Sequence, residues 1–297
     1  MSTDDDRDEP PRSPGDPNGW PGLPIYDPSE DIDDFDDALD EEFEEDDFAE
    51  DFPRTILITG ACGNIGRKLQ DAWSNEYDLI LLDLRADPED PEVFAADLSE
   101  LSEDWLTFFH GVDTVIHLAA NPDPLAPWDE LIGPNIDALA NVLNASVLAG
   151  VERFVFASSN HAMGGYRDRG TEPITEDLPP LPDGPYGLTK LIGERLGQSA
   201  SRAFDLTFLA LRIGWVQLGE NRPETLPDDW SRSMWLSNND LEQLLRRAIE
   251  VDLEEVDFAV INGVSRNQGS RWDLQAANDL LGYSPEDDAY SDRSEES

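Results

Sequence analysis

From Arg54 onward, short apolar runs rich in β-branched residues alternate with longer stretches whose apolar positions recur every three or four residues. The runs predict strands at 55–59, 78–83, 92–96, 113–119, 152–158 and 206–212, and the stretches predict helices near 64–75, 100–110, 128–149 and 186–203. Such alternation favours a parallel sheet covered on both faces, a doubly wound α/β fold. After Gly214 the alternation loosens. A loop bearing Pro and Trp runs from Trp215 to Trp235, then come an amphipathic helix near 239–250, a strand near 256–261 and a helix near 271–281. These later pieces are expected to form a small substrate cap, mainly from 215–284, over the carboxyl ends of the strands.

Before Arg54 the pattern is absent. Residues 1–53 hold 22 acidic and 2 basic residues, with Pro and Gly crowded into the first thirty, so a disordered acidic tail is expected. Aromatic residues sit among the acids, and a short amphipathic helix around Phe35 to Phe48 is the alternative. A folded domain over 54–284 and a second polar tail over 285–297 complete the expected organisation.

The first strand leads into Thr59-Gly60-Ala61-Cys62-Gly63-Asn64-Ile65-Gly66, and its glycine spacing predicts strand, tight turn and helix. Gly60 permits the turn, Gly63 lets a pyrophosphate approach backbone N–H groups, and Gly66 lets the helix pack close to its strand. The second strand ends in Asp83, about 20 positions beyond the loop, where a carboxylate can accept hydrogen bonds from an adenosine ribose. Dinucleotide binding is therefore expected. Asp97-Leu98, after the third strand, either lies beside the adenine or caps the next helix through Asp97.

Composition narrows the partners. The 297 residues carry a net charge of −46, which repels phosphate backbones and anionic membranes, so no nucleic-acid or lipid partner is expected. Eighteen of the 20 basic residues are Arg. This balance suits a salt-rich cytoplasm, where screening weakens the repulsion among carboxylates; an acidic protein of an ordinary cell is the alternative. A single Cys excludes an internal disulfide, and three scattered His make a metal site improbable. With Asp where a signal peptide would be basic and no span-length apolar stretch, a cytoplasmic location is expected.

The glycine turn, His117-Leu118-Ala119-Ala120 at the end of the fourth strand, and Tyr186-Gly187-Leu188-Thr189-Lys190 together resemble the extended short-chain dehydrogenase/reductase superfamily. Tyr186 and Lys190 share one helix face, so the ammonium is expected to lower the phenol pKa and make Tyr186 a base. The resemblance makes Ser159 the third catalytic residue, donating to the substrate oxygen. Lys190 also holds the nicotinamide ribose in this reading. Asn135 falls where the superfamily keeps a supporting Asn, though such a residue is also an ordinary structural hydrogen-bonder.

Ser158-Ser159-Asn160-His161, with Ala126-Pro127-Trp128, Leu211-Arg212-Ile213-Gly214 and Trp235-Leu236-Ser237, is similar to uronate dehydrogenases and the NAD-dependent sugar dehydrogenases of salt-loving archaea. The resemblance implies NAD as cofactor, a sugar or polyol substrate, Asn160 and His161 as substrate contacts, and a homo-oligomer. Two departures concern charge. Where uronate dehydrogenases hold the sugar carboxylate with Arg, this chain has Trp230, with Arg232 as a substitute two residues on; where they carry a polar Ser, it has Asp123. A carboxylate at Asp123 would suit an uncharged sugar. A nucleotide-sugar epimerase or dehydratase, and a non-catalytic NAD-sensing module, are the rival readings.

Overall fold

The structure is a computed structural model, and it describes residues 53–87, 90–253 and 256–291. The acidic stretch before Pro53, with the candidate helix around Phe35 to Phe48, lies outside the described residues. Seven parallel strands, β1 (Thr55–Thr59), β2 (Asp78–Asp83), β3 (Val93–Ala95), β4 (Thr114–His117), β5 (Arg153–Ser159), β6 (Thr207–Ile213) and β7 (Phe258–Gly263), form one sheet in the order β3-β2-β1-β4-β5-β6-β7. The direction of winding reverses between β1 and β4, which opens a crevice at the carboxyl ends of the strands.

The strands are buried on both sides, and consecutive residues feed opposite layers. Ile56, Ile58 and Val155 face one apolar layer with α1 (Asn64–Trp73), α7 (Asn238–Glu250) and α8 (Gln275–Leu281). Leu57, Phe154 and Phe156 face the other layer, with α4 (Ala138–Ala149) and α5 (Pro185–Ala203). Helix α5 lies unusually close to the sheet. A Cβ on Gly193 would come 2.5 Å from the Phe156 ring, and one on Gly197 would come 2.2 Å from Phe208. That approach carries the amino end of α5, with Tyr186 and Lys190, to the carboxyl end of β5.

Three expected helices are reshaped, two by local chemistry and one by tertiary bonds. The helix expected over 128–149 is α3 (Trp128–Ile132), a π-helical turn over Gly133–Asp137 and then α4, because Pro134 supplies no N–H to a regular ladder. Over 100–110, Ser102 caps a short α2 (Glu103–Leu106) by accepting from Asp104 N at 3.2 Å, and Thr107–Phe109 tightens into a 3-10 turn. Residues 271–274 stay outside the helix because Asn262 Nδ2 donates to Ile174 O and Asp273 O, while Arg271 donates to the carbonyls of Tyr166, Arg169 and Glu172.

The cap draws on residues 160–183 as well as 215–284. Met163, Ile174, Met234, Val264 and Trp272 form its core, with Trp230 6.0 Å from Trp272 between ring centroids. The loop expected at 215–235 contains a 3-10 turn over Pro223–Thr225 and the short α6 (Asp229–Ser233). Residues 285–291, expected as a polar tail, are instead fastened to the domain. Glu286 N and Asp287 N donate to the Asp240 carboxylate at 2.8 and 3.2 Å, and Ala289 N donates to Asn267 Oδ1 at 3.0 Å. Their polar composition concealed backbone bonding to buried acceptors.

Candidate active site

A cavity of about 1090 Å³ follows the carboxyl ends of the strands. At one end the chain leaves β1 through Gly60 at φ +72°, a left-handed conformation natural to glycine. A Cβ there would lie 2.7 Å from Ala119 N, so β1 and β4 could not close together with any larger residue. A Cβ on Gly66 would lie 2.4 Å from Ala61 O, which explains how α1 starts so close under its strand. Cys62, Gly63, Asn64 and Ile65 line the same wall. The Asp83 carboxylate fixes the turn by accepting from Cys62 N at 2.9 Å. Asp97 lines the cavity with Leu98 and closes the turn that follows, accepting from Ser99 N and Oγ at 3.0 and 2.6 Å; the expected helix cap falls instead to Ser102, because α2 starts only at Glu103.

At the other end, register pairing sets Ser159 of β5 beside Ile213 of β6, and α5 brings Tyr186 and Lys190 over them. Ser159 Oγ donates to Asn160 Oδ1 at 3.1 Å and accepts from His161 N at 3.2 Å. Asn160 Nδ2 in turn meets Met234 Sδ of the cap at 2.6 Å. Lys190 Nζ lies 5.1 Å from the Phe156 ring centroid and 5.6 Å from that of Tyr186. Burial pulls the Lys190 ammonium down to about 8. Burial likewise pushes the Tyr186 phenol up to about 12, with a hydrogen bond to Ser159 acting the other way. The net lowering of the Tyr186 phenol expected from Lys190 is thus not met, because desolvation is the larger effect. His117 is held neutral: burial first, and Lys190 second, lower its pKa to about 3, and its Nδ1 sits 2.8 Å from Thr59 Oγ1.

Asn135 is a brace for this region. Its Oδ1 accepts from Asn121 N at 2.7 Å, and its Nδ2 donates to Asn121 O and to Thr189 Oγ1, at 3.2 and 3.1 Å. The π-helical turn aims it there.

Ser159, Asn160, His161, Tyr186 and Lys190 therefore share one cavity with the glycine turn, Asp83, Asp97 and Leu98. Asp123 and Arg232 do not line it. The Asp123 side chain is exposed and accepts from Leu125 N at 2.9 Å, closing its own turn. Arg232 is spent on Leu226 O at 3.1 Å and Asp229 Oδ1 at 3.2 Å. In their place the wall holds Pro122, Pro124, Leu125 and Trp215, which the sequence reading did not single out. For Trp215 a signal existed: it stands two residues beyond the end of β6, at the carboxyl edge where ligands bind. Trp215 N donates to Met234 O at 2.7 Å, and Trp215 O accepts from Leu236 N at 3.1 Å, so its backbone is pinned to the cap.

An open parallel sheet with a glycine turn at its switch point, and a Ser, a Tyr and a Lys lining the same cavity, defines an oxidoreductase of the extended short-chain dehydrogenase/reductase kind. The chain belongs to the NAD dependent epimerase/dehydratase family, which its residues 56–231 match. The L-arabinose 1-dehydrogenase (NAD(P)(+)) of Haloferax volcanii is 36% identical to it over 250 residues, covering 79% of this chain and 97% of that protein. The NAD-dependent glucose-6-phosphate dehydrogenase of the same organism is 34% identical over 254 residues, covering 79% and 94%. Among solved structures, a glucuronic acid dehydrogenase from Chromohalobacter salexigens superposes with a TM-score of 0.71 at 30% identity, covering 82% of this chain and 88% of that one.

NAD fits the donors present. Asn64 and Ile65 line the cavity at the amino end of α1, where first-turn N–H groups can meet a pyrophosphate, and among the described residues Asp83 Oδ1 has no protein partner and the Lys190 ammonium has no hydrogen-bond acceptor. Among the described residues, no group of three or more His, Cys, Asp or Glu gathers for a metal, and no helix is long and apolar enough to cross a membrane.

Proposed function

We propose that the protein oxidises a hydroxyl of an uncharged sugar to a carbonyl. Bound NAD supplies the hydride acceptor. Tyr186 takes the hydroxyl proton, and Ser159 Oγ donates to the substrate oxygen as charge develops on it. The phenolate this requires is opposed by burial and favoured by the hydrogen bond to Ser159; the Lys190 ammonium, 5.6 Å from the Tyr186 ring centroid, favours it as well. Lys190 also offers its N–H groups to the cofactor ribose, and Asp83 offers an acceptor to the adenosine ribose. Asn160 and His161 bind sugar hydroxyls, and Trp215 with Leu125 supplies an apolar wall.

The observation that carries the choice of an uncharged substrate is the absence of an Arg among the described residues of the cavity wall. Among the described residues Lys190 is the one Lys or Arg there, and Arg232 is committed to Leu226 and Asp229. A carboxylate or phosphate would enter a largely unpaired site on a chain of net charge −46. The named relatives act on L-arabinose and on glucose 6-phosphate, and the first of these suits this wall. The acidic, Arg-rich composition, alongside relatives from a salt-loving archaeon, supports work in a salty cytoplasm. The test is a panel of aldoses, uronates and sugar phosphates with NAD, read as net NADH at high salt. A neutral aldose with the highest kcat/KM is expected. A uronate or sugar phosphate preferred over every neutral aldose refutes the substrate class, and product without net NADH refutes the dehydrogenase.

A further inference from the structure

His161 does not stand alone in the cavity wall. Its Nδ1 lies 3.0 and 2.9 Å from the two carboxylate oxygens of Asp183, which precedes α5 by two residues. The backbones are tied as well: Asp183 N donates to His161 O at 3.4 Å, and Leu181 N donates to Ala162 O at 3.0 Å. Two glycines make the room this carboxylate occupies. A Cβ on Gly164 would fall 2.0 Å from Asp183 Oδ2, and one on Gly187 would fall 3.3 Å from Asp183 Oδ1 and 2.3 Å from His161 O. The imidazole also meets the Tyr186 ring edge-on, with centroids 5.5 Å apart and planes at 83°. Nε2 has no protein partner among the described residues, and the ring borders the cavity.

We infer that Asp183 is a positioning residue that fixes the His161 tautomer and thereby sets which sugars the site accepts. A carboxylate can only accept, so a neutral imidazole facing it must carry its proton on Nδ1. Nε2 then presents a bare lone pair. That lone pair accepts a hydrogen bond from a sugar hydroxyl and offers nothing to a carboxylate or phosphate oxygen, which can only accept. The dyad is thus a hydroxyl reader beside the reacting centre, built by Asp183, Gly164 and Gly187 around His161. It deepens the reading of an uncharged sugar as substrate and rests on it for the kinetic arm of the test only.

Ring-nitrogen NMR of the wild-type protein, which has three histidines, tests the tautomer without any substrate. His161 with Nδ1 protonated and Nε2 bare is expected, and loss of that single tautomer in Asp183→Asn, whose amide can also donate. His161 protonated on Nε2 in the wild type, or an unaltered tautomer in Asp183→Asn, overturns the inference. Kinetics with the preferred aldose and its monodeoxy analogues supply the second arm. One deoxy analogue is expected to lose roughly tenfold to a hundredfold in kcat/KM with the wild type and little with Asp183→Asn, because a hydrogen-bonding site rejects the ligand that leaves it unpaired. Asp183→Asn should raise KM at least about tenfold while kcat stays within about threefold, since Asp183 touches no reacting atom. An identical analogue profile for both proteins overturns the inference. If Asp183→Asn does not fold, Gly164→Ala, which displaces the carboxylate, takes its place. Should no neutral aldose be oxidised while the tautomer results hold, the substrate reading fails and the dyad stands.

Discussion

Lys190→Met should stabilise the ligand-free protein while destroying its activity. The Lys190 side chain is 4% exposed and sits against two aromatic rings, and burial lowers its pKa from an ordinary 10.5 to about 8. In the unfolded chain the ammonium is fully hydrated, so between pH 8 and 10.5 the unfolded state binds more protons and stability rises with pH. The penalty for folding around the charge is complete below the folded pKa and gone above the unfolded one. At about 1.4 kcal/mol per pKa unit this comes to about 3 kcal/mol at pH 7, about 2 at pH 9 and under about 1 at pH 10. Met keeps most of the side chain's apolar length without the charge. Relief of His117, which Lys190 helps hold neutral, does not alter the sign in this range, because His117 is uncharged above pH 7 in both proteins. The assay is denaturant unfolding of ligand-free wild type and variant in one buffer salt at pH 7, 9 and 10, with NADH production measured alongside. In a thermal scan near pH 7 the variant should melt roughly 6–12 °C higher. A variant less stable than wild type at pH 7, or a stability difference that does not shrink towards pH 10, refutes the reasoning.

Three further outcomes follow from the same geometry. Tyr186→Phe should lower kcat/KM by roughly 10²–10⁴-fold, the usual worth of a positioned proton-transfer group, while NAD titration by protein fluorescence changes little. NAD should be used at least about tenfold more efficiently than NADP, because the Asp83 carboxylate repels a 2′-phosphate, and Asp83→Asn should narrow that ratio in competition kinetics. Asp123→Ser should leave the ratio of aldose to uronate efficiency within about twofold, since the Asp123 carboxylate closes its own turn outside the cavity wall; a larger change in the substrate panel would place it at the sugar.

Strand and helix alternation, the glycine turn and the Tyr-x-x-x-Lys spacing are local patterns, and they were legible because each imposes its chemistry within a few residues. Gly60 and Asp83 could be read from position, since strand ends in a doubly wound sheet share one edge; Tyr186 and Lys190 could be read from their helical spacing, and Ser159 from the resemblance of its motif. Charge-bearing residues outside these local patterns could not. Asp123 and Arg232 carry the right chemistry near the right place, but the turn at Leu125 and the carbonyl of Leu226 claim their side chains. The π-helical turn that aims Asn135, the extended segment ending at Trp272 and the anchoring of residues 285–291 on Asp240 depend on partners up to about a hundred residues away, which no local window contains. The same holds for the pKa values. The Tyr-Lys spacing announces a mutual electrostatic effect, but only the packed structure shows that both groups are desolvated enough for burial to dominate. The sequence by itself therefore determined the sheet, its edge and the three side chains proposed to react, whereas tertiary structure decided which polar groups remain free in the cavity, because a hydrogen bond already made inside the protein removes a donor or acceptor from the site.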